Sequence, residues 1–231
     1  MTDTAPAGLP ATGELPELAG VHWRRRVQEP ALRRADRTWT LSTIAHEIPF
    51  VATAVVLPVL APVLLIVSVP AVAFAWAIPA LYAARGAGVL RPVRRRPGTS
   101  RAAEQRALGL LGDLVGHDAR ELCARTGLVV QRGAFGVWLV GPAGALLVRP
   151  GGRRVQCYCV RVPEDDLPRA DRVAHLLLAL RADESGFATV ANLTFSGACW
   201  RLRPHLPAPA REGLAAAVAA APRSGRRRRA A

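Results

Sequence analysis

Lysine is missing from this sequence: all 31 of its Lys/Arg positions are arginine. That excludes chemistry built on an ε-amine, from Schiff bases to the phosphate-gripping lysine of a P-loop, and no G-x-S-x-G nucleophile elbow is present either. Charge is missing from a second place, the 37 residues from Ile48 to Ala84, which also hold no histidine. Cysteine is scarce, four in 231 residues with no C-x-x-C pair, so a disulfide framework or zinc ribbon is not expected. The first 20 residues, MTDTAPAGLPATGELPELAG, lack the apolar core of a cleavable signal and read as a disordered tail.

The charge-free run is the strongest feature that is present. As one straight helix it would measure about 55 Å, against a bilayer hydrocarbon core of about 30 Å. Two helices of about 17 residues joined by a turn fit that thickness. The rest of the chain is too short and too rich in arginine to bury such a run on all sides. Residues 48–84 are therefore expected to form a two-helix transmembrane hairpin with its turn at Val67-Ser68-Val69-Pro70. A turn at Pro58 to Pro62 is disfavoured, because the first helix would then have to bury His46 and Glu47. Prolines inside the helices are expected to kink them, at a cost that bilayer helices tolerate.

The net charge is +14, and its location sets an orientation. Residues 21–47, 85–106 and 211–231 carry +3, +6 and +5, the whole of the excess. Basic segments thus flank the hairpin on both sides, which under the positive-inside rule makes both termini cytoplasmic in a multi-pass protein of the inner membrane. Trp39, Trp76 and Tyr82 lie toward the span ends. Residues 21–47 are expected to be a basic juxtamembrane segment of two short pieces split at Pro30, and residues 85–100 a basic linker. Arg94, Arg95 and Arg96, together with Arg226, Arg227, Arg228 and Arg229 of a disordered tail at 222–231, are candidates for binding anionic lipid headgroups, each adding about 1 kcal/mol near the surface. Nucleic acid is the other anionic partner they could take, although the tail has no interleaved aromatic residues for base stacking.

Residues 101–221 read as a small cytoplasmic α+β domain. Ser100 can cap a helix from Arg101 to about Arg125 that ends at Gly127, with Gly109, Gly112 and Gly116 as points of interruption. Four extended segments follow, LVVQR, GVWLV, ALLVR and RVQCYCVRV, and the GAFG, GPAG and PGG signals between them predict an antiparallel meander. An amphipathic helix in LPRADRVAHLLLALRADE presents Val173, Leu176, Leu177 and Leu180 on one face. FATVANLTF and CWRLRPHL read as strands, and AREGLAAAVAAA as a last helix.

Candidate chemistry is thin. Cys157 and Cys159 alternate on one strand and so share a face, as two metal ligands or two small buried thiols would. Glu164, Asp165, Asp166 and Asp171 could form a metal-binding carboxylate cluster, but their place before a helix equally suits capping and compensation of its dipole. No cofactor motif is present.

Taken in order, AEQRALGLL, GVWLVGPAGALLVR, LPRADRVAHLLLALRAD and ATVANLTF resemble nuclease-related domains of the restriction-endonuclease-like class, over roughly residues 102–196. The resemblance implies an acid before the GPAG turn and an acid-x-Lys pair after it, to hold a metal and activate water. The corresponding places here are Gly136, Arg149 and Gly151, so the implied domain is a non-catalytic relative.

Two functions are compatible with these features. One is a membrane-anchored protein that holds a non-catalytic interaction domain at the inner membrane face, with a protein or nucleic-acid partner. The other is a membrane-tethered, nuclease-like phosphodiesterase with a rearranged site using Glu164, Asp165, Asp166 or Asp171.

Overall fold

The structure is a computed structural model that describes residues 15–91, 100–160 and 167–222. After a 3₁₀ turn at Pro16–Val21, helix α1 runs without a break from Glu29 to Leu60. Pro30 does not divide it. It stands in the first turn, where a missing N–H costs nothing because that donor has no partner in any helix. Segment 21–47 is therefore mostly one docked helix rather than two interfacial pieces.

The chain reverses at Ala61, a single extended residue (φ −155°, ψ 124°), followed by a 3₁₀ turn at Pro62–Leu64 and helix α2 at Leu65–Ala87. The reversal thus lies at Pro58 to Pro62 and not at Val67 to Pro70, which are helical. The objection to that position was the burial of His46 and Glu47. It fails because the first half of α1 lies on the folded body, leaving His46 exposed and Glu47 half-buried. Phe50 and Phe74 meet across the two arms, ring centroids 6.0 Å apart.

The remaining elements are α3 (Arg101–Leu114), α4 (His117–Thr126), β1 (Val129–Arg132), β2 (Val137–Gly141), β3 (Gly144–Val148), β4 (Arg154–Cys159), α5 (Arg169–Ala182), α6 (Glu184–Val190), β5 (Asn192–Ala198), α7 (Cys199–Leu202) and α8 (Ala208–Ala220). The five strands form one sheet in the order β1-β2-β3-β4-β5 with every neighbour antiparallel, the meander that the turn signals predict. The long helix expected from Arg101 breaks near Gly116 into α3 and α4, and Gly127 closes α4 in a left-handed conformation (φ 69°).

Two segments expected to be strands are helical. Asp183 caps α6 by accepting the Gly186 N–H at 2.8 Å, so FATV continues as helix, and only Asn192 onward joins the sheet. CWRL forms α7 and leads into a 3₁₀ turn at Arg203–His205.

Strands β2 and β3 are buried along their whole length, so the sheet is covered on both faces. Trp138, Val140, Leu147 and Tyr158 pack on one side against Leu32 of α1, α3, α5 and α6. Leu139, Leu146, Val155, Cys157 and Phe195 pack on the other against Ala83 and Ala87 of α2, Leu202 and α8. The expected linker begins inside this second core: Val89 and Leu90, in a 3₁₀ turn after α2, are buried beneath the sheet. Helix α1 covers the edge strand β5, with Leu32 in the first core and Trp39 against the second. Such an edge would otherwise offer free N–H and C=O groups to another chain. Two long apolar helices thus lead into an α+β unit that they help to build.

Candidate functional site at the base of the hairpin

The first half of α1 is bound to the sheet through acids placed seven residues apart, hence on one face. Glu29 receives both terminal nitrogens of Arg149, which is buried and also donates to the Phe135 carbonyl at 3.0 Å. Asp36 accepts from Arg154 Nε at 3.0 Å and from the Ser196 hydroxyl. Behind it, Gln156 donates to the Leu32 carbonyl at 3.0 Å and accepts from the Tyr158 hydroxyl at 3.2 Å. Burial pushes the Tyr158 phenol well above its ordinary value; Arg149 pulls the other way and Asp36 adds to the rise. These groups satisfy one another, and they fix how α1 sits on the sheet.

A second carboxylate organises the loop before β2. Glu184 accepts from Ala134 N at 2.6 Å, Phe135 N at 3.0 Å and Trp138 Nε1 at 2.6 Å. Its neighbour Asp183 pairs with Arg26, and Ser185 donates to the Val27 carbonyl at 2.6 Å, so α6 also straps down the segment that enters α1.

The surface these contacts create lies where the apolar arms leave the body. A cleft of about 200 Å³ between α1, α2 and β5 is lined by Trp39, Thr43, Tyr82, Arg154 and Phe195. Glu47, Pro79, Trp200 and Arg201 line both it and a neighbouring groove of about 430 Å³, where Trp76, Pro204 and His205 complete the wall. Trp76 and Trp200 are 78% and 70% exposed, and the Arg201 guanidinium lies 5.3 Å from the centre of the Trp200 ring. An exposed indole pair, a guanidinium and a single carboxylate beside an apolar helix are groups suited to the headgroup layer.

Of the residues expected to carry chemistry, the structure describes Cys157, Cys159 and Asp171. Cys157 and Cys159 do share a face of β4, in the core beneath α2 and α7. Burial, and secondarily the nearby Cys199, hold the Cys157 thiol well above the usual thiol range. Asp171 is in the first turn of α5, where it complements the helix dipole, and His175 is exposed on the same helix. Glu164, Asp165, Asp166, Arg94, Arg95, Arg96 and Arg226 to Arg229 lie outside the described residues. Gly136 and Gly151 have positive φ angles, and Arg149 is the partner of Glu29. Among the described residues no three His, Cys, Asp or Glu side chains are grouped to hold a metal ion.

Sequence reasoning missed the groove because it treated Trp200 and Arg201 as part of a strand. A recoverable signal existed for the polar seam: Glu29 and Asp36 are two of only three acids among the arginines of residues 21–47. No family model, curated protein or solved structure matches this chain.

Proposed function

We propose that this is a membrane-anchored protein whose hairpin holds a non-catalytic α+β interaction domain at the inner membrane face. One observation carries the reading: α1 passes without interruption from its ion pairs with the sheet into an arm whose apolar side chains face outward. Along the two arms Val55, Val59, Leu60, Val63, Ile66 and Val69 are all more than 60% exposed, whereas Ser68 and Ala71 of α2 are buried. A water-soluble monomer does not present such a surface, and a bilayer covers it without further protein. Anchor and domain are joined by the seam of Glu29, Asp36, Arg149 and Arg154, so the groove at Trp200 and Arg201 is held at a set height above the lipid.

The arginines on both sides of the hairpin support the inner-face placement and anionic headgroups as the first partner. The test is flotation of the full chain with phosphatidylethanolamine–phosphatidylglycerol vesicles. The protein is expected to float and to stay bound in high salt and alkaline carbonate; recovery in the dense fraction would overturn the anchoring. The same preparation, incubated with magnesium or manganese and labelled DNA or RNA, is expected to leave the nucleic acid intact. Metal-dependent cleavage lost on replacing Glu164, Asp165, Asp166 or Asp171 would overturn the non-catalytic part and establish the phosphodiesterase instead.

A further inference from the structure

The folded body sets a limit on how deep the hairpin can go. Trp200, Arg201, Pro204 and His205 stand beside Ala75 to Ala83 of α2 and beside Glu47 of α1, so the charged surface reaches down to that level. Below it the free arms are Ile48–Leu60 on α1 and Pro62–Phe74 on α2, turn included. At about 1.5 Å per helical residue, and about 2 Å in the 3₁₀ turn, each arm is about 20 Å long. A hydrocarbon core is about 30 Å thick. Crossing it would draw the Arg201 guanidinium and the Glu47 carboxylate about 10 Å into the lipid, where ionised groups are strongly disfavoured.

The tip points the same way by a separate route. Leu57 to Leu65 reads LPVLAPVLL, with no polar or aromatic side chain, and its Val59 and Val63 are 81% and 78% exposed. A turn that emerged on the far side would rest in water and headgroups, where so apolar a segment is out of place. Its backbone is also short of free donors. Pro58 and Pro62 have no N–H, Ala61 N donates to the Leu57 carbonyl at 3.1 Å, Leu64 N donates to the Ala61 carbonyl at 2.9 Å, and Leu65 N donates to the Pro62 carbonyl. A reversal with so few unpaired donors is one that hydrocarbon can surround. The one hydroxyl of the α2 arm between Pro62 and Phe74, Ser68, is buried and donates to the Leu64 carbonyl at 3.3 Å.

We propose that the hairpin does not cross the bilayer: it is a wedge in the near leaflet, with Leu60 to Val63 among the acyl-chain ends close to the mid-plane. The inference rests on the anchoring proposed above and replaces two spans by one re-entrant insertion. Its occupant is lipid of a single leaflet. Helix length and hydropathy alone pass both helices as spans, α1 at 32 residues and Pro62–Leu90 at 29, but those lengths include the portions docked on the sheet.

The test places an environment-sensitive fluorescent amino acid at position 63 of the full chain, and in a second protein at position 59, in phosphatidylethanolamine–phosphatidylglycerol vesicles. Both side chains project from the tip, so the folded body is untouched. Strongest quenching is expected from nitroxides near the acyl-chain ends, with none from aqueous iodide outside the vesicle or trapped in its lumen. Quenching at both positions by iodide on the side opposite the folded domain, in protein that floats with the vesicles, would overturn the wedge and leave the anchoring intact. Protein that does not float, with a fluorophore quenched by external iodide, would overturn the anchoring itself.

Discussion

Glu184 illustrates what a single side chain does in this fold. Its two oxygens accept two backbone N–H groups and the Trp138 indole, holding a four-residue turn and a core aromatic at once. Glu184→Gln keeps the volume but turns an NH₂ toward a donor, so it is expected to cost about 2 kcal/mol in stability and to shift Trp138 emission. Denaturant unfolding in detergent, followed by tryptophan fluorescence, reads both. Buried acids of a different kind set the alkaline limit. Burial raises Cys123, Cys157, Cys199 and Tyr158 above their ordinary values, so in the alkaline range the folded state binds more protons than the unfolded one. Stability from these groups is fully present below the unfolded-chain values, about 8.5 for thiols and about 10 for tyrosine, and is lost as pH rises beyond them. Unfolding midpoints are expected to hold between pH 7 and 8 and to fall steadily from about pH 9. A flat profile to pH 10.5 would mean that these side chains are accessible to water.

At the scale of elements, what was legible followed from backbone chemistry that acts locally. GPAG and PGG forced reversals between β-rich runs whatever lay around them, and Gly127 ended α4, so four strands of the meander and the last helix stood where the sequence placed them. What was not legible depended on partners distant in sequence. The β-branched residues of FATV favour a strand, but Asp183 caps a helix there while also holding Arg26. The reversal at Ala61 falls where the sequence disfavours it because Glu47 stands at the level of the body formed by β5 and α7 rather than in lipid. Of the groove residues the sequence singles out Trp76, as an aromatic toward a span end, and Glu47, as an acid to be kept out of lipid, but not Trp200 or Arg201. The α2–β5 contact gives a direct check on docking. A Cβ on Gly86 would overlap the Phe195 side chain and approach Cys157 Sγ at 3.3 Å. Gly86→Ala is therefore expected to destabilise by about 1–3 kcal/mol despite raising helix propensity, since overpacking outweighs a gain of about 1 kcal/mol. An unchanged or higher melting temperature would show that α2 does not press on the sheet.

At the scale of the whole molecule, the sequence divides as anchor, linker and domain, but the fold does not. Leu32 of α1 fills one core, and Ala83, Ala87, Val89 and Leu90 around the end of α2 fill the other. Residues 101–221 alone would expose both faces of a sheet that has no other cover at those places, so that fragment is expected to be aggregated or molten, without cooperative unfolding. The free arms, by contrast, contribute nothing to either core. Glu47 and Pro79 line the same cleft, so the two helices are close together at the base. Replacing residues 48–74 by a short Gly-Ser connection keeps every residue of α1 and α2 that lines the cleft or the groove and removes the apolar surface of the free arms. That shortened chain is expected to be monomeric in water, to unfold cooperatively and to remain in the dense fraction when mixed with vesicles. Circular dichroism melts and flotation check the two halves of the expectation separately. Cooperative folding with retained flotation would move the membrane-binding role from the hairpin to the arginine segments. A protein that fails to fold would mean that the arms also stabilise the body, against the exposure of Val55, Val59 and Val63 on which the anchoring rests.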